Sequence, residues 1–430
     1  MKYIEKQSPS RIIAAGFLAV IILGSGLLML PCSIKPGVDL QYIDALFTST
    51  SAVCVTGLIT ADVGDTFTPL GQAIVAGLIQ IGGLGVTSVG VGMILALGRK
   101  INLKERLLIK EAMNLDTGRG LVNLVKNVLK VTLCFEVTGV ILSFISFSKR
   151  YEPLKALGVS LFHSIAAFNN SGFDNMGNYQ NLIPFKDDVL LNLTTCGLII
   201  FGGLGFLVIM DIVKKRSFRK LSFHSKAVIS TTIVLLVTGT VLIRLTEDIT
   251  WLGAFFTSVS ARTAGFSTFS LGNFTSAGLL VVTILMFMGA SPGSTGGGIK
   301  TSTVFTLFHF IKGAATNQPA GAFRYRIPQE SFYKAAIVTA LSACVVLVGS
   351  FLVCILEPHI SFEAIMFEVT SAFGTVGLST GITPGLLPAT KFVLIVIMYI
   401  GRLGALTIAS LWVFKPESAI AYPEGNISIG

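Results

Sequence analysis

The stretch SVSARTAGFSTFS, residues 258–270, sets a polar loop with one glycine between two long apolar runs. Its reading turns on whether it has kin. FTSTSAVCVTGL surrounds Gly57, FHSIAAFNNSGF surrounds Gly172, FFTSVSARTAGF surrounds Gly265 and FEVTSAFGTVGL surrounds Gly377. Ten residues before each glycine stands a phenylalanine: Phe47, Phe162, Phe255 or Phe367. Five residues before it stands Ala52, Ala167, Ser260 or Ala372, and directly after it Leu58, Phe173, Phe266 or Leu378. A second motif trails each loop: IGGLGVTS at 81–88, FGGLGFLV at 201–208, MGASPGST at 288–295 and IGRLGALT at 400–407. Internal recurrence of this kind outranks any single motif as evidence of architecture. It divides the chain into units at 1–98, 120–212, 221–315 and 330–415, with residues 416–430 as a short tail.

The composition names the solvent. Of 430 residues, 52% are hydrophobic and 13% charged, against about 25% charged in soluble domains. Mean hydropathy is +0.78. Apolar spans lie at 12–30, 70–97, 127–147, 189–210, 227–243, 277–290, 332–356 and 392–414. Most are long enough to cross about 30 Å of hydrocarbon as a helix, which takes about 20 residues. The net charge of +10 does not point to nucleic acid, because 22 of the 32 Lys and Arg fall in 2–11, 99–130, 214–226 and 300–334. Alternate connections are therefore basic, the pattern of cytoplasmic loops. It places a multi-pass chain in the cell membrane with both termini in the cytoplasm. The six cysteines show no metal or disulfide spacing, and no carboxylates or histidines converge as an enzyme would need.

Between the spans of each unit lies a segment too short to cross: 43–53, 157–168, 251–261 and 362–373. Each is read as two to three helical turns that enter from outside and stop mid-membrane. The chain then climbs back extended. Non-helical backbone at that depth must line a water-filled cavity, since lipid cannot satisfy its N–H and C=O groups. Four such loops in one chain suggest a ring around one axis. The expected fold is an all-α polytopic membrane protein: four pseudo-symmetric helix–pore loop–helix repeats around one central pore, with eight transmembrane spans and four re-entrant pore helices.

A ring of backbone carbonyls replaces the water shell of a monovalent cation. The candidate filter is Val55, Thr56 and Gly57; Asn170, Ser171 and Gly172; Thr263, Ala264 and Gly265; and Thr375, Val376 and Gly377. Glycine takes the backbone angles that aim successive carbonyls at one axis. The short helices would add the partial negative charge of their C-terminal ends. Asp174 and the outer carboxylates are placed to gather cations at the mouth. Arg262 is read as pointing behind its loop, Glu368 as a helix-capping or buried hydrogen-bonding group, and His163 as a packing or hydrogen-bonding residue.

The second span of the third unit is broken, with Gly289, Pro292, Gly293, Gly296, Gly297 and Gly298 within ten residues. No comparable tract is expected in the other units. Residues Gly289, Ala290, Ser291, Pro292, Gly293, Ser294, Thr295, Gly296, Gly297 and Gly298 form a candidate gate under the filter. Arg402, inside an apolar span, is expected to face that loop and bond its carbonyls, the alternative being a structural bond to Glu136 or another helix terminus; intramembrane charges are expensive and usually functional. A phosphate-binding loop is the wrong reading of GSTGGGIKTST. Counted from Gly293, the lysine comes one residue late, and no strand precedes it. The glycine doublets at 82–83 and 202–203 suit close helix packing better than a dinucleotide site.

With these motifs in hand, the chain resembles the membrane subunit of Ktr-type potassium uptake systems, in the Trk/Ktr/HKT superfamily. The likeness spans residues 10–415 and rests on the four loops, GASPGSTGGGIKTST and MYIGRLGALTIASLW. It implies that Gly57, Gly172, Gly265 and Gly377 carry potassium selectivity; Gly57 stands where a sodium-selective plant branch has serine. It implies a homodimer with one pore per protomer, above a cytoplasmic ring of nucleotide-binding regulatory subunits that respond to ATP and ADP. It implies K+ as cargo, Na+ as an activator in many members, and no organic cofactor. Residues 99–119 and 214–226 are either docking faces for that ring or topology signals that meet anionic lipid. A sodium- or proton-coupled symporter with alternating access is the competing function, and a membrane enzyme a weaker one.

Overall fold

The computed structural model describes residues 9–86, 88–90 and 121–410. The basic stretch 99–119 and the tail 416–430 lie outside the described residues. Among the described residues the regular elements are helices apart from one hairpin, Gly321–Ala322 paired with Tyr325–Arg326, and irregular loops join them.

Among the described residues, four single helices are long and apolar enough to cross a membrane: Ser10–Leu28, Asn123–Phe147, Phe223–Thr246 and Gln329–Leu356. Their apolar windows are only 22–33% buried within the protein, so most of each helix faces outward. Each is followed by a short helix, at Tyr42–Val53, Pro153–Phe168, Trp251–Ser260 and Phe362–Gly374. The expected segments hold, with one correction. The second short helix begins at Pro153 rather than 157 and runs 16 residues, more than the expected two to three turns. Proline is favoured at the first helical position, where its missing N–H costs nothing.

A further helix follows each loop, and hydroxyl or carboxylate caps fix where three of them start. Thr68 accepts from Gly71 N, Asp188 from Leu191 N and Thr275 from Gly278 N. Such caps satisfy amides that have no intrahelical partner. These helices end early, at Leu84, Leu204, Phe287 and Leu403. The apolar spans read at 70–97, 189–210 and 392–414 are therefore not single continuous helices. Gly85, Gly205 and Gly404 interrupt them with φ of +82°, +89° and +90°. At Gly205 the axis bends by 98° between Val189–Leu204 and Phe206–Lys215. Only glycine adopts that conformation without strain. Among the described residues, the long non-helical tract within a second span is particular to the third unit, between Phe287 and Thr301.

Within each unit the long, short and following helices pack on one another. Each following helix also packs on the next short helix. Pro69–Leu84 meets Pro153–Phe168, Val189–Leu204 meets Trp251–Ser260, and Ser276–Phe287 meets Phe362–Gly374. Pro388–Leu403 then meets Tyr42–Val53. The last contact closes the circle, with the short helices inside and the long apolar helices outside.

Candidate functional site

The four glycines stand at the centre of that circle. A Cβ built on Gly57 would lie 2.2 Å from Ser171 O, and one on Gly172 would lie 2.8 Å from Ala264 O. One on Gly265 would lie 2.3 Å from Val376 O, and one on Gly377 would lie 2.1 Å from Thr56 O. Each loop thus abuts the next, in chain order, and the fourth abuts the first. All twelve residues from the four loops are brought together. Their backbones share a pattern. Val55, Asn170, Thr263 and Thr375 have φ of +51°, +57°, +67° and +49°. The glycines two residues later have +92°, +70°, +78° and +93°. Alternating hands turn successive carbonyls to the same side. Non-glycine residues take a positive φ only when the surroundings impose it.

The short helices impose it. Thr56 N donates to Ser51 O at 2.7 Å, Ser171 N to Ala166 O at 2.9 Å, and Val376 N to Ser371 O at 2.9 Å. Ser51 adds a clamp: its Oγ accepts from Gly57 N at 3.0 Å and donates to Leu58 O at 2.7 Å. From behind, the first glycine of three of the trailing motifs leaves room for a helix end, while Gly289 of the third unit backs onto Gly297 O of its own tract. A Cβ on Gly82 would sit 2.0 Å from Val53 O, one on Gly202 2.0 Å from Phe168 O, and one on Gly401 1.9 Å from Phe373 O. The packing role read for the doublets 82–83 and 202–203 holds for Gly82, Gly202 and also Gly83, where a Cβ would lie 2.1 Å from Asn169 Oδ1.

Outside the ring lies a cavity of about 440 Å3 that touches all four glycines. Asp174 lines it as a buried, hydrogen-bonded carboxyl rather than a solvated charge. It is 7% exposed, accepts from Met176 N at 3.0 Å and from Asn181 Nδ2 at 3.2 Å. In this outer loop, burial pushes its carboxyl up to about 7, with the charges of Asp62 and Asp65 adding to the shift. Two other outer carboxylates are structural. Glu247 accepts from Thr275 N and Oγ1, and Glu357 from Leu387 N and Thr390 Oγ1.

Beneath the ring lies the 289–298 tract. Met288 and Ile299 bridge its neck. Its backbone bonds to the second unit: Ser291 N donates to Gly203 O at 3.1 Å, and Phe206 N to Gly293 O at 3.1 Å. It also reaches the fourth loop, where Gly297 N donates to Thr375 Oγ1 at 3.0 Å. A Cβ on Gly296 would lie 2.0 Å from Thr263 Oγ1, so the tract presses on two of the four loops. Arg402 faces the tract, as expected, and donates to Thr295 O. It also spans to the first unit, donating to Gly82 O and to Gly83 O at 3.3 Å.

From sequence, Lys300 reads only as a topology charge at the start of the basic stretch 300–334. The structure folds its ammonium back under the tract, donating to Gly296 O at 2.7 Å and Gly297 O at 3.4 Å. Lys300 and Arg402 line one cavity of about 170 Å3 with Phe17, Gly83, Ser88 and Gly296. The signal available was its place two residues after three glycines, within reach of their carbonyls.

Three residues set aside from sequence lie where expected. Arg262 is buried behind its loop with a guanidinium nitrogen 3.5 Å from Gly289 O. Glu368 is buried and accepts from Thr383 Oγ1. His163 packs edge-on to Phe147 and Phe266 and bonds Thr195 Oγ1 at 2.9 Å.

Comparison with known proteins meets this geometry. The sequence profile of the TrkH family, described as "Cation transport protein", matches residues 4–252 and 227–421. The Ktr system potassium uptake protein B of Bacillus subtilis is 38% identical over 98% of this chain and 97% of its own. The potassium/sodium uptake protein NtpJ of Enterococcus hirae is 37% identical over 99% of this chain and 98% of its own. The crystal structure of the potassium transporter TrkH from Vibrio parahaemolyticus superposes with a TM-score of 0.74 at 18% identity, covering 95% of this chain and 86% of that one. Its likeness speaks to the fold alone. A multi-pass helical chain whose sequence matches this profile along nearly its whole length belongs to the TrkH family of cation transport proteins, which are transporters rather than enzymes.

Proposed function

We propose that the chain is the ion-translocating subunit of a potassium uptake system, with four pseudo-equivalent repeats at 1–98, 120–212, 221–315 and 330–415. In this reading it crosses the membrane eight times, carries four re-entrant helices and keeps both termini in the cytoplasm. The observation that carries the reading is the closed ring of Gly57, Gly172, Gly265 and Gly377, each within Cβ reach of the next loop's backbone. Main-chain carbonyls of residues 55–57, 170–172, 263–265 and 375–377 take the place of water around K+. No carboxylate lies between a short helix and its glycine, so the field comes from dipoles: the carbonyls and the helix C-termini that end at the ring.

The 289–298 tract is the gate. It occupies the inner side of the ring, and Arg402 and Lys300 hold it there through its carbonyls. Two cations beneath a cation pathway oppose passage until the tract moves. A homodimer and a cytoplasmic ring of ATP- and ADP-binding subunits supply the control, with 214–226 as one docking face. The names of the relatives support potassium as cargo, and the name of the Enterococcus protein supports a role for sodium. That last name also favours a second reading, a sodium-coupled symporter; single-channel currents separate it from a pore.

The test is potassium uptake in cells that lack their own uptake system. Gly57→Ser puts a side chain onto Ser171 O, and its preference for K+ over Na+ is expected to fall at least about tenfold. Unaltered preference in correctly inserted protein overturns the filter.

A further inference from the structure

One of the four glycine carbonyls is not like the others. Asn181 Nδ2 donates to Gly172 O at 3.0 Å and to Asp174 Oδ2 at 3.2 Å. Its Oδ1 accepts from Leu182 N at 2.9 Å and from Ser267 N, beyond the third glycine, at 3.1 Å. Leu182 N also donates to Ser267 O at 3.1 Å. The amide is therefore fully engaged, and it ties the outer ends of the second and third loops together. Among the described residues, no side chain donates to the carbonyl of Gly57, Gly265 or Gly377.

The delivery of this amide is built. Asn178, Tyr179 and Asn181 have φ of +60°, +53° and +48°, a conformation that asparagine tolerates better than most residues. Carboxylates of the first unit hold the wind. Asn178 N donates to Asp65 Oδ2 at 2.6 Å, and Tyr179 N to Asp62 Oδ2 at 2.7 Å. Gly177 leaves room for this approach, since a Cβ there would lie 2.6 Å from Asp65 Oδ1. Three units thus converge to place one N–H on one carbonyl of the ring.

We propose that Asn181 is a positioning residue that sets ion discrimination at the outer end of the filter by engaging the Gly172 carbonyl. The inference rests on the filter reading above. A carbonyl that already accepts an N–H offers a weaker field to an ion beside it. The number and field strength of carbonyl dipoles govern the choice between K+ and the smaller Na+. A stronger field favours the smaller ion, whose closer approach gains more. Releasing Gly172 O therefore shifts preference toward Na+.

The experiment uses the full-length chain in cells deficient in potassium uptake, reading KM and Vmax for K+ and Na+ and the amount of inserted protein. Asn181→Asp keeps the shape and loses both donors. The ratio of the Na+ KM to the K+ KM is expected to fall about fivefold, the scale of one lost hydrogen bond. Asn181→Gln, which keeps the amide, is expected to recover part of that ratio. A merely structural role would lower Vmax and leave the ratio alone. If Asn181→Asp fails to insert, Asn181→Ser loses the reach to Gly172 and is read by the same ratio. An unchanged ratio in the inserted variant, while Gly57→Ser loses discrimination, overturns the inference and leaves the filter standing. An unchanged ratio in Gly57→Ser as well overturns the filter reading itself.

Discussion

At the scale of single residues, the site is made by groups that do little individually. Arg402 has no carboxylate within ion-pairing distance among the described residues; its partners are the carbonyls of Thr295, Gly82 and Gly83. Arg402→Ala is expected to raise potassium flux several-fold when the regulatory subunit is absent, in protein that still inserts. Flux and regulation both unchanged would remove Arg402 from the gate. Asp174 makes a second prediction. Burial raises its carboxyl to about 7, so it is neutral below that pH and charged above it. A carboxylate beside the vestibule favours cations. The KM for K+ is therefore expected to be lower at external pH 8 than at pH 6. Asp174→Asn is expected to flatten the part of that dependence centred near 7. Asp62, also raised by burial, and Asp65 face the same group and remain. An identical pH profile in the variant would assign the effect elsewhere. These roles were unevenly legible. Arg402 announced itself as a charge in an apolar run. Lys300 did not, because a lysine at the start of a basic connection looks like any topology signal.

At the scale of elements, repetition made the short helices and their loops legible. Four copies of a phenylalanine, a small residue and a glycine at fixed spacing fixed each segment to within a residue or so, save the early start at Pro153. The breaks at Gly85, Gly205 and Gly404 were not legible. A glycine in an apolar run serves equally for close packing or for a positive φ, and the same motif uses both. Gly202 and Gly401 are packing glycines inside helices, while Gly205 and Gly404 end them. The distinction yields a paired test. Gly202→Ala drives a methyl onto Phe168 O and is expected to cost at least about 1–3 kcal/mol, with loss of inserted protein or a lower unfolding temperature in detergent. Gly197→Ala, on the same helix with nothing within 4 Å, is expected to be neutral or to stabilise by up to about 1 kcal/mol. Equal effects at the two sites would mean that the helix does not back onto the short helix as described.

At the scale of the molecule, the sequence indicates four equivalent loops but not how they are joined. Closure comes from tertiary contacts that no local pattern encodes. Each following helix leans on the next short helix, and the fourth returns to the first. The asymmetry of the ring was equally hidden, because the tract at 289–298 and the amide of Asn181 reach their partners across units. Orientation, dimer and regulatory ring remain proposals, carried by charge pattern and family likeness. The central claim is physical: the carbonyls of four abutting loops together strip one monovalent cation of its water. Crystals or vitrified particles prepared in Rb+ or Tl+ test it directly through the position of the heavy ion. The account predicts density on the axis, bounded by residues 55–57, 170–172, 263–265 and 375–377. Ion density found only away from that ring, or held by fewer than all four loops, would contradict it.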